Sequence, residues 1–91
     1  MTVHNIYGSQ GDHYRDIGLR DWMAQKGMNS KPLCSVLGCS SIATDGSHVI
    51  KVDSTDKTWY ICPLCHEHNE ATDNIELKSD WPSRLVPLSR L

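Results

Sequence analysis

Apolar residues fall in short groups whose spacing changes along the chain. Leu19, Trp22 and Met23 recur at i, i+3 and i+4, and Gly27 follows where a left-handed residue ends a helix. This spacing predicts a helix over residues 13 to 26, with Asp12 as its N-cap and a polar lead before it. After Lys31-Pro32 comes a compact turn, Cys34-Ser35-Val36-Leu37-Gly38-Cys39, with Gly38 where the backbone bends tightly. Alternation then takes over. Residues 48–52 read as a strand with His48, Ile50 and Val52 on one face, and residues 58–62 as a second with Trp59 and Ile61 together. The polar stretch 53–57 has hairpin length. Pro63 suits the first turn of a helix continuing over residues 64–70. In the tail, Pro82 and Pro87 bracket Leu85 and Val86 and leave room for one short strand.

The pattern is that of one small α+β domain. It divides into an N-terminal helical lead (1–32) packing on the domain, a cysteine-bearing core (33–70) and a C-terminal extension (71–91). With 91 residues, 38% apolar positions and no Phe, the hydrophobic core is thin. A metal or disulfide staple is the usual remedy at this size.

The four cysteines decide which staple. Residues 1–14 contain no apolar run, basic n-region or small-residue cleavage site, so the reading is of reduced, cytoplasmic cysteines rather than a disulfide framework. No stretch approaches the ~20 apolar residues of a membrane span. Net charge is −2, without the broad positive field of a strong non-specific nucleic-acid binder.

A tetrahedral zinc site takes four ligands, and short-range pairs supply two at a time because the intervening turn fixes their separation. Cys34 and Cys39 form one pair. The second is open between Cys62 with Cys65, a CxxC, and Cys65 with His68, a CxxH. Cys65 and His68, three apart at a helix start, face the same way, whereas Cys62 ends a strand and joins its packing. Geometry therefore favours Cys34, Cys39, Cys65 and His68, with Cys62 as the alternative ligand and otherwise a small buried hydrophobe. His66 should point away from the metal, His4 and His13 should lie on the surface, and Glu67 should be solvated.

The run Tyr60-Ile61-Cys62-Pro63-Leu64-Cys65-His66-Glu67-His68-Asn69, preceded by Gly46-Ser47-His48-Val49-Ile50 and by Cys34 and Cys39, resembles the zinc-supported HNH endonucleases over residues 33–70. The resemblance implies a treble-clef or ββα-metal fold, and a structural zinc on Cys34, Cys39, Cys65 and His68. It gives His48 the general-base position and Asn69 that of a catalytic-metal or phosphate ligand, with a second divalent metal if the site is active. It also implies a prokaryotic or phage origin, hence the cytoplasm of a bacterium or of a phage-infected cell. Two departures stand out. The family commonly has Asp or His before the base, where this chain has Ser47, and the Asn that orients the base corresponds to Tyr60.

These features define two expectations. One is a zinc-stiffened binding module for nucleic acid or protein, whose nuclease site has decayed with the loss of a metal ligand at Ser47. The other is an active metal-dependent endonuclease using His48, in which Asp45 would have to reach the metal. A purely structural zinc domain within a larger assembly is a third.

Overall fold

A computed structural model describes residues 1–6 and 17–91. The chain runs β1 (Thr2–Asn5), α1 (Leu19–Lys26), β2 (Asp45–Lys51), β3 (Tyr60–Leu64), α2 (His66–Asn69), β4 (Ile75–Glu76), α3 (Trp81–Arg84) and β5 (Val86–Pro87), then a 3-10 turn, Leu88–Arg90. The architecture is α+β. One five-stranded sheet of order β4-β1-β2-β3-β5 has every neighbouring pair antiparallel. Strands from the N-terminal, central and C-terminal stretches all enter it.

Alternation along β2 and β3 separates two packed layers. Val49, Cys62 and Leu64 turn to one face and pack with Val3, Cys34, Cys65, Ile75, Leu77 and Leu85. On the other, Ile61 packs with Leu19 and Trp22 of α1 and with Val86 and Leu88. Gly46 belongs to this second face. A Cβ there would lie 2.6 Å from the Leu19 nitrogen and 2.7 Å from the Gly18 carbonyl carbon, so only glycine lets the start of α1 approach β2 this closely.

Several expectations change. The helix begins at Leu19, with extended Gly18 as its N-cap, not at residue 13; Asp12 and residues 13–16 lie outside the described residues. Gly18 offers no capping side chain. Asp21 instead accepts the Gly18 N–H at 2.9 Å, which is half of a capping box. Gly27, at φ 67°, ends the helix as its spacing predicts. The polar lead holds a missed strand, β1, paired with both β2 and β4.

β2 starts at Asp45, earlier than expected, and stops at Lys51, leaving Val52 in the turn. Trp59 precedes β3 and is exposed, while Ile61 is buried. Pro63 and Leu64 close β3 rather than opening a helix. Beyond Ile61, β3 has no β5 partner, so the missing Pro63 N–H costs no ladder bond. The helix that follows is a single turn with Cys65 as its N-cap. No helix among the described residues is long and apolar enough to cross a membrane.

Candidate metal centre

Two local turns on the same side of the sheet bring four ligand atoms together. In the first, the Cys39 N–H donates to the Val36 carbonyl at 3.0 Å, and Gly38 takes φ 83°, a conformation that favours glycine. This turn folds Cys39 back over Cys34. In the second, Cys65 stands at the N-cap of α2 and His68 one turn later, with Cys65 Sγ and His68 Nδ1 3.2 Å apart. Cys34 Sγ lies 3.6 Å from the same nitrogen.

The ligand atoms of Cys34, Cys39, Cys65 and His68 all lie within 4.8 Å of one another. With Zn–S near 2.3 Å and Zn–N near 2.0 Å, the edge of a tetrahedron between S and N is about 3.5 Å. The cluster therefore has the donor set and size for a four-coordinate soft or borderline ion. Cys62, the alternative ligand, lies outside it. Its side chain is fully buried against Cys34, Leu64 and Val49 on the inner face of β3.

The thiols differ. Burial pushes the Cys34 thiol up to about 11 and the Cys62 thiol up to about 12. At Cys39 the Ser41 backbone N–H, the largest influence, lowers the value. A metal entering the cluster must displace the Cys34 proton, whereas the proton on Cys62 stays.

Side chains beyond the cysteine-bearing stretch hold both ligand turns, and spacing alone did not identify them. Lys78 Nζ donates to the Cys34 carbonyl at 2.7 Å, and Arg84 Nη1 donates to the Leu33 carbonyl at 2.7 Å and to Ser35 Oγ at 3.1 Å. Ser35, fully buried, ties the turn to β3 through its hydroxyl and N–H, which donate to the Pro63 carbonyl at 2.7 Å and 3.0 Å. On the α2 side, Asn5 of β1 donates to the carbonyls at the helix end.

The residues given catalytic positions by resemblance do not share one surface. Ser47 Oγ donates to Asn69 Oδ1, so Asn69 meets the residue before the expected base on the sheet face that carries the Cys/His cluster. His48 points the opposite way. It is 7% exposed, and its Nε2 donates to the Ile17 carbonyl at 2.8 Å, next to α1. Asp45 does not turn to Ser47. Its carboxylate lies 3.2 Å from His66 Nδ1, while His66 Nε2 faces Glu70 at 2.9 Å. Those two carboxylates meet opposite ring nitrogens and do not converge on one point. His66 and His4 are exposed, as expected; His13 lies outside the described residues.

Comparison with known proteins returns no family model, no curated protein and no solved structure that matches this chain.

Proposed function

We propose that this chain is a zinc-stiffened, HNH-like binding module of treble-clef type without a competent nuclease centre. The observation carrying this reading is the Ser47–Asn69 hydrogen bond. The two positions at which the resemblance expects a catalytic metal are in contact, but they are a neutral hydroxyl and a neutral amide already satisfying each other. A hard divalent ion is held by carboxylates or other strong oxygen donors, and phosphodiester hydrolysis relies on its charge.

The position of His48 supports the same conclusion. A general base must reach the water it activates, and His48 is buried beneath α1 with Nε2 committed to a main-chain carbonyl. Its role here is to bind the Ile17 segment to β2. Zinc is the ion that fits three thiolates and an imidazole in an intracellular protein.

Protein suits this surface better than nucleic acid as the partner. Net charge is −2, so a duplex meets little overall attraction. Leu33 and Ile42, paired across an isolated bridge, and Leu37 on the first ligand turn are 46%, 58% and 62% exposed. Exposed apolar side chains that lie side by side, as Leu33 and Ile42 do, mark surfaces of protein contact where they form a patch.

Plasmid nicking with Mg²⁺, Mn²⁺ or Ni²⁺ tests the central point. The reading predicts no cleavage above background. Robust cleavage that disappears in a folded His48→Ala variant would overturn it and return Asp45 to consideration as a metal ligand.

A further inference from the structure

Asn5 stands out as a polar residue at an inward strand position. It pairs with Val49 in the sheet and is 6% exposed, on the face that carries the metal cluster. Its Nδ2 donates towards three main-chain carbonyls, His68 at 3.3 Å, Asn69 at 3.1 Å and Ala71 at 3.0 Å. Carbonyls only accept, so the nitrogen, not the oxygen, must face them. Asn5 Oδ1 is buried with no partner among the described residues. A core position that leaves an acceptor unsatisfied is disfavoured unless the donor half of the amide does something an apolar residue cannot.

That task is visible in α2. A helix of four residues, His66–Asn69, cannot sustain itself, and its last carbonyls have no partners within the helix. Glu70 closes it without a left-handed cap. The His68 carbonyl accepts the Ala71 N–H at 3.1 Å, and Asn5, from a strand more than sixty residues away in sequence, adds a second donor there and reaches the Asn69 carbonyl as well. One of the carbonyls it holds belongs to His68, whose ring nitrogen is in the metal cluster.

We propose that Asn5 is a positioning residue of the metal centre, holding the main chain of His68 so that its imidazole meets the three thiols and coupling strand β1 to metal occupancy. The proposal rests on the metal-binding reading. Coupling of this kind is reciprocal: if β1 steadies the site, the metal steadies the contact between β1 and α2. Loss of a group that orients a ligand typically weakens metal affinity 10- to 100-fold.

The test compares the full-length wild type with Asn5→Asp, which keeps the shape but removes the donors, with Asn5→Ser, and with Leu19→Ala as a destabilised control on the opposite sheet face. Metal release to a chelator is timed for the zinc forms, and the visible absorption of the cobalt forms is recorded. Both Asn5 variants should release zinc at least about tenfold faster than wild type and shift the cobalt bands. Leu19→Ala should lower thermal stability with neither change. In the wild type, hydrogen exchange of the Asn5 side-chain amide should be slow with metal and fast after its removal. That measurement decides the matter if the variants do not fold.

Variants that release metal no faster than Leu19→Ala, or an Asn5 amide whose exchange ignores the metal, would overturn the role of Asn5 and leave the metal site standing. A wild type that takes up no metal would overturn both.

Discussion

Cys34 Sγ and His68 Nδ1 lie 3.6 Å apart although 34 residues separate them in sequence. Between them the chain passes through the β2–β3 hairpin, so an ion at this point would tie the first ligand turn, the hairpin and α2 into one unit. In a chain with so small a core, such a tie would supply part of the folding free energy.

Ligand identity can be tested by contrast. Cys62→Val roughly conserves volume in a packed site outside the cluster, so it should cost less than about 1.5 kcal/mol and keep the metal. His68→Ala removes one of four ligands, and both metal affinity and melting temperature should fall sharply. Metal analysis and thermal melts of the two variants check this; the reverse pattern would point to a four-cysteine site.

Acid should release the metal. Burial raises the Cys34 thiol to about 11, so it carries its proton at neutral pH, whereas a metal-bound thiolate carries none. Metal binding therefore releases protons, and affinity must fall as pH falls. With the Cys34 proton displaced, zinc affinity measured by competition between pH 6 and 8 should drop by about tenfold per pH unit.

Gly46→Ala should destabilise the fold. Its Cβ would meet the Leu19 nitrogen at 2.6 Å, the Gly18 carbonyl carbon at 2.7 Å and Ile61 Cδ1 at 2.8 Å, and two of these three are main-chain atoms that cannot rotate away. Overpacking of this kind costs about 1–3 kcal/mol, read as a lower denaturation midpoint with an unchanged slope.

His48→Ala should behave as a structural variant. It removes the donor to the half-buried Ile17 carbonyl and opens space beneath α1, at a cost of about 1–3 kcal/mol. Metal stoichiometry should not change, because His48 faces away from the cluster. Thermal melts paired with metal analysis check both halves.

The ligand turns were legible in the sequence because they are local. Cys34 with Cys39, and Cys65 with His68, are each set by a single turn, and strand alternation already placed Cys62 with the packing residues. What escaped was tertiary. β1 reads as polar because its inward residues are Val3 and Asn5, and an amide does not register in a hydrophobic pattern. β2 begins at Asp45-Gly46-Ser47, three residues without an apolar side chain, since Gly46 makes room for α1 and Ser47 meets Asn69. Pro63 followed the rule for a helix start, yet it sits in β3 where the strand lacks a second neighbour. Lys78 and Arg84 bind carbonyls of the first ligand turn through contacts that no spacing rule anticipates.

Native mass spectrometry of the protein purified without added metal tests the central claim most directly. The account predicts one zinc ion per chain with all four cysteines free of disulfides, and a metal-free mass after chelation accompanied by a lower melting temperature. A metal-free mass as purified, with two disulfides and a melting temperature indifferent to chelator, would contradict it.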